Sequence, residues 1–94
     1  MIIKPNHRPL RFKDIEYKKL GKECVIYSDD KKTVHVLNVT GSLIWHLSDG
    51  EHTVAHICSK IKERFDLPEN VDVGKDVRKI LNELQELKFI EIKY

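Results

Sequence analysis

The feature that most constrains this chain is a single change in its hydrophobic period, near residue 39. Before that point β-forming residues cluster in short runs divided by polar turns. After it, apolar residues recur every three or four positions. Short β-rich runs mark strands and a period near 3.6 marks helices. Strands followed by helices, without alternation, predict an α+β domain.

The strand half is read as follows. Met1–Pro9 contains Pro5 and Pro9 among Lys4, His7 and Arg8, and is expected to form an extended, poorly anchored arm. A first strand is predicted within Leu10–Lys19, anchored by Phe12, Ile15 and Tyr17, with Leu20-Gly21-Lys22 as a turn. Glu23–Ser28 and Thr33–Leu37 are β-rich and separated by the polar Asp29–Lys32, which predicts a hairpin.

In the helical half, Thr40 is expected to cap a helix carrying Leu43, Ile44 and Leu47, with Gly50 as its left-handed C-terminal cap. Thr53 caps a second helix with the stripe Val54, Ile57, Cys58, Ile61 and Phe65, ended by Asp66-Leu67-Pro68. Asp72 caps a third, running to about Lys88, whose Val73, Val77, Ile80, Leu81, Leu84 and Leu87 form one broad apolar face. Phe89–Lys93 is left as a short strand or an extended tail. Three antiparallel strands followed by three helices suit a winged helix-turn-helix-like domain.

Length and charge exclude several classes. At 94 residues the chain makes one domain over 1–94, too small for a deep internal cofactor cavity. No apolar run approaches the roughly 20 residues a membrane-spanning helix needs. The N-terminus lacks the apolar core of a secretory signal, so a cytoplasmic location is the default expectation. Cys24 and Cys58 are widely spaced, and in that compartment are expected to stay reduced.

Catalytic groupings are missing. The four glycines (21, 41, 50 and 74) stand singly, so no phosphate loop forms, and neither GxSxG nor HExxH occurs. His52 and His56 lie four residues apart with Cys58 close behind, a spacing that can offer metal ligands. However, His52 precedes the helix cap and Cys58 belongs to the apolar stripe. Structural zinc also needs four ligands. Surface histidines are the reading adopted, with no metal, no cofactor and no catalytic residue expected.

The winged-helix layout raises DNA binding as an alternative, with the third helix as reader. That helix carries Lys75, Arg78, Lys79 and Lys88, interspersed with Asp76, Glu83 and Glu86. The whole chain has a net charge of only +2. Phosphate binding draws on counterion release and needs a net positive face, which this mixture does not offer.

The strand Thr33–Leu37 has more to offer. Its hairpin partner satisfies one edge. If the other is open, it presents N–H and C=O groups to an extended peptide, a known recognition mode; alternatively another strand or the helices cover it. A second copy pairing there would make a homodimer.

The order of local motifs from Val36 to Ile90 sharpens this reading. Leu37-Asn38 leads through Thr40-Gly41 to Ile44-Trp45; Asp49-Gly50 and Thr53-Val54 with Ile57 follow; Asp76-Val77 and Leu84-x-x-Leu87-x-x-Ile90 complete the series. This stretch resembles the PqqD family, named for coenzyme PQQ synthesis protein D and also called RiPP precursor-peptide recognition elements. The resemblance implies three antiparallel strands packed on three helices, with no chemistry of its own. It implies binding of the leader segment of a ribosomally made precursor peptide as an added strand, in the groove between the third strand and the third helix. It also implies a partner such as a radical SAM enzyme, a cyclase or a leader peptidase. Since the chain ends soon after the third helix, a discrete subunit is expected.

On this sequence, the resemblance places the site on the main chain of Thr33, Val34, His35, Val36 and Leu37. Val77 and Leu81 are expected to line a pocket for an apolar leader residue. Arg78 and Gln85 are expected at its polar boundary, with Arg78 placed to pair with an acidic leader residue.

Overall fold

The computed structural model of the chain describes residues 2–94; Met1, the first residue of the expected arm, lies outside them. In chain order the elements are β1 (Arg8–Arg11), β2 (Ile15–Leu20), β3 (Glu23–Ser28), β4 (Val34–Leu37), α1 (Val39–Leu47), α2 (Val54–Arg64), α3 (Gly74–Glu86) and β5 (Ile90–Lys93). The α+β class and the three-stranded antiparallel sheet followed by three helices are as expected; that sheet has the order β2-β3-β4. The sequence suggests one strand across Leu10–Lys19, and the chain makes two. β1 separates from β2 at a turn in which the Ile15 N–H donates to the Phe12 carbonyl. β1 then pairs with β5 as a second, two-stranded antiparallel sheet, Pro9 opposite Ile92 and Leu10 opposite Glu91.

The amino-terminal segment is not loose. Ile3 and His7 are buried, and so is Pro9. The carbonyls of Pro5, His7 and Pro9 accept hydrogen bonds from the N–H groups of Ala55, Val54 and Gly50. Two of these donors, Val54 and Ala55, open α2, where the first helical turns leave N–H groups without intrahelical partners. Of the prolines that suggest a free arm, Pro5 in fact offers its carbonyl to that helix end and Pro9 offers its own to Gly50 in the loop before it. His7 accepts the Lys4 N–H at Nδ1 and sets its ring edge-on to Tyr94, 4.6 Å between centroids.

Local chemistry explains the element limits. Gly21 takes φ +64° at the first central position of the two-residue β2–β3 turn, where a primed hairpin turn requires a residue without a Cβ. Asn38, not Thr40, caps α1: its side chain accepts the Gly41 N–H at 2.8 Å. Thr53 caps α2 by accepting the His56 N–H, as expected. Asp72 sits one residue outside the α3 cap position at Val73 and accepts the Gly74 N–H. Gly50 lies beyond the end of α1, at φ +82°, where an added Cβ would meet Leu10 Cδ1 at 3.1 Å. It therefore admits β1, and does not cap the helix.

One apolar core joins both sheets to the helices. Cys24, Ile26 and Leu37 from the inner face of the larger sheet meet Ile44 and Trp45 of α1, Ile57 and Ile61 of α2, and Val77, Leu81 and Leu84 of α3. Phe89, Ile90 and Ile92 close it from the β5 side. The alternating burial of β5 is what a half-buried strand gives. Trp45 is tied from outside as well: Arg11 donates to the Trp45 and His46 carbonyls, both at 2.8 Å, with its guanidinium 5.7 Å from the indole centroid.

Candidate functional site

β4 borders the sheet. Its partner β3 covers one edge, and among the described residues no strand pairs with the other. Which of its backbone groups face outward follows from register. The Ser28 N–H donates to the Thr33 carbonyl at 3.0 Å, and the Thr33 N–H to Ser28 Oγ at 3.2 Å. These opposed residues are a hydrogen-bonded pair, and in an antiparallel ladder such pairs alternate with non-bonded ones. His35 opposite Ile26 and Leu37 opposite Cys24 are therefore bonded to β3, while Val34 opposite Tyr27 and Val36 opposite Val25 are not. The N–H and C=O groups of Val34 and Val36 point to the free edge.

The side chains agree with this geometry. Leu37 is buried and His35 half-buried on the helix side of the sheet, while Val34 and Val36 are each 58% exposed on the other. An exposed strand edge bearing two β-branched apolar residues is a surface natural proteins normally cover.

Where β4 ends, a cleft of about 410 Å³ opens between the start of α1 and one flank of α3, lined by Asn38, Thr40, Asp76, Lys79, Ile80 and Glu83. Ile80 is partly buried against the core and forms its apolar floor. Asp76 and Glu83 stand about one turn to either side of Ile80 on the same helix. This is the α3 flank that adjoins the end of β4.

The sequence-predicted site residues are distributed unevenly over these surfaces. Thr33 to Leu37 lie on the edge strand or at its start, with Val34 and Val36 facing out. Val77 and Leu81 are 1% and 0% exposed and belong to the core beneath the helix. Arg78 lines a different hollow, together with Pro5, Cys58, Lys62 and Asp72. At about 100° per residue, Gln85 falls within about 20° of Arg78 and about 140° from Ile80. The structure thus sets Ile80, Asp76 and Glu83 beside Asn38 and Thr40, just past the end of the strand, and places Arg78 in the hollow against α2. Asn38, Thr40, Asp76, Ile80 and Glu83 were not singled out from sequence as groove residues. The available signal was the position of Ile80 at the margin of the apolar arc, with acidic residues one turn away.

The histidine pair organises a loop and gathers no metal site. Asp49 accepts the Glu51 and His52 N–H groups and pairs with His52 Nδ1 at 2.8 Å. Burial pushes the Asp49 carboxyl up, but the His52 hydrogen bond and the two backbone donors outweigh it and hold the group at about 2. The His56 ring lies 4.9 Å from that of His52. Cys58 is half-buried with its thiol pushed up by burial, the opposite of an activated thiolate. Among the described residues no group of three or more His, Cys, Asp or Glu is placed to hold a metal ion, and no cysteines are paired. No described helix is long and apolar enough to cross a membrane.

Fold and site together define a small helix-backed sheet domain in which the border strand β4 runs up to a helical cleft. A match to the PqqD family, coenzyme PQQ synthesis protein D, spans residues 23–90, and the chain belongs to that family. Among solved structures it is similar to "TbiB1 in Complex with the TbiA(beta) Leader Peptide", with 22% sequence identity and a TM-score of 0.72. That likeness covers 87% of this chain and 94% of the other, and shows a shared fold. No curated protein matches the chain.

Proposed function

We propose that the protein is a non-catalytic adaptor that binds the leader segment of a ribosomally made precursor peptide as an additional strand on β4, and presents it to a modifying enzyme. Family membership supplies the class of function, and the solved relative was captured with a leader peptide. The observation that carries the reading is the outward aim of the Val34 and Val36 backbone groups, next to a cleft floored by Ile80. Main-chain bonds to those groups would supply affinity irrespective of leader sequence. The cleft would supply selectivity, taking an apolar side chain on Ile80, with Asp76 and Glu83 favouring a basic neighbour. The enzyme receiving the peptide is of the radical SAM, cyclase or leader-peptidase kind.

The test is an NMR titration with a synthetic leader encoded by a short reading frame beside this gene. Shifts are expected at the amides of Val34 to Leu37 and along the flank Asp76, Ile80 and Glu83. Shifts confined to α1 and α2 would overturn the proposal.

A further inference from the structure

The helix-facing side of the larger sheet continues past its helices at β2. Tyr17 and Lys19 lie opposite Ile26 and Cys24 and so point to the same side as those core residues, yet Tyr17 is 54% exposed and Lys19 is exposed too. This overhang walls a cleft of about 690 Å³, closed on its other sides by α1 and the end of α2. Its lining contains Lys19, Lys22, His46 and Arg64 and no carboxylate. Two aromatic rings stand among the cations Lys19, Lys22 and Arg64: Tyr17, edge-on to His46 with 5.2 Å between centroids, and Phe65, 37% exposed.

These charges are not neutralised within the domain. Among the described residues, Lys19, Lys22 and Arg64 take part in no ion pair. Burial, with Arg11 and Lys19 adding positive charge nearby, holds the His46 imidazole below its ordinary range. Gathering cations around exposed aromatic rings costs the isolated domain mutual repulsion. It favours any partner that brings negative charge and an apolar side chain together, and aromatic and arginine residues are the types that dominate protein interfaces.

We propose that this cleft is a second docking surface, which receives an acidic segment of a protein partner, carboxylates on Lys19, Lys22 and Arg64 and an apolar side chain between Tyr17 and Phe65. Identifying that partner as the modifying enzyme rests on the adaptor reading above; the charge and shape argument does not. Topology makes the two surfaces compatible. β2 and β4 are opposite edges of the sheet with β3 between them, so a strand added to β4 leaves β2 and its cleft open. An adaptor that holds a peptide on one edge needs another face for the enzyme, and this face differs in chemistry from the β4 edge.

The experiment titrates the full chain, by NMR at low salt, with a short synthetic peptide alternating glutamate with leucine and phenylalanine. Two controls accompany it: the same peptide with glutamine in place of glutamate, and an oligothymidylate of equal charge. Shifts are expected for Tyr17 to Lys22, His46, Arg64 and Phe65, with affinity about tenfold or more weaker for the glutamine peptide and for Lys19→Glu/Arg64→Glu. Since Lys19 and Arg64 are exposed, that variant should remain folded at the temperature of the titration; Lys22→Glu with unaltered neighbours is a second, independent reduction of charge. Equal binding of the glutamine peptide, tighter binding of the oligonucleotide at the same residues, or no shifts in the cleft would each overturn the proposal. The leader peptide, titrated into Lys19→Glu/Arg64→Glu, should still shift Val34 to Leu37. If only the variant loses those shifts, the surfaces are not separate and the docking proposal fails. If the unaltered protein never shows them, it is the leader reading that fails.

Discussion

Val25 and Val36 face each other across β3 and β4 as a non-hydrogen-bonded pair, which turns the Val36 amide away from its own sheet. The residue before it, His35, does the reverse and donates inward to β3. Adjacent positions on one strand therefore face opposite ways, one toward the free edge and the other toward the sheet.

Proline substitution separates them. Val36→Pro removes an outward N–H and no bond to β3, so the melting temperature should change little while leader affinity falls about tenfold or more. His35→Pro breaks the ladder to Ile26 and should lower stability by at least about 1 kcal/mol. Thermal melts and calorimetric titration of the two variants check the pair.

The two sides of α3 give a second contrast. Leu81 is fully buried, and Leu81→Ala should cost about 2–5 kcal/mol, a large fraction of what a domain of this size possesses. Ile80→Ala removes the floor of the cleft from a partly buried position. It should weaken leader binding several-fold with a smaller loss of stability. Denaturant melts at a temperature where both variants are folded, followed by leader titration, distinguish the roles.

Capping of α1 gives a third. Asn38→Ala should cost about 1 kcal/mol, because Asn38 holds the Gly41 N–H, while Thr40→Ala should cost a few tenths at most. Chemical denaturation of the two single variants decides between them.

A fourth concerns acid. The Asp49 carboxyl is held at about 2 against an ordinary 3.8, so its contribution is complete above the higher value and is lost as pH falls through the lower. Asp49→Asn should be less stable than the native chain at neutral pH by about 1 kcal/mol, with the difference closing as both are taken toward pH 2. Melting curves collected down that range give the result directly.

The parts of this fold that could be read in advance are those with a local cause. The hairpin of β3 and β4 follows from two β-rich runs around four polar residues, and α2 and α3 from stripes that fit a helical period. The pairing of β1 with β5 has no such cause. Each is four residues long, too short for alternation to stand out, and their register is settled by the core they jointly cover. Asn38 and Thr40 are both good capping residues, and only the point at which β4 stops makes Asn38 the one with extended backbone. At the site, period identified the buried face of α3 but not which neighbour each margin of that face meets. Arg78 and Ile80 are two residues apart and so fall on opposite flanks of the helix, but which neighbour each flank meets is decided by where α2 and the α1 terminus pack.

The union of β1 and β5 sets Arg8 beside Lys93, so the first and last strands run side by side in a sheet that β4 does not share. Such a unit can be spliced as a cassette into a loop of another protein, or closed into a ring and reopened elsewhere, without crossing the edge on which a peptide would lie. A circular permutant, its old ends joined by a short glycine linker and its new ones cut between α2 and α3, should retain the fold and leave that edge unobstructed.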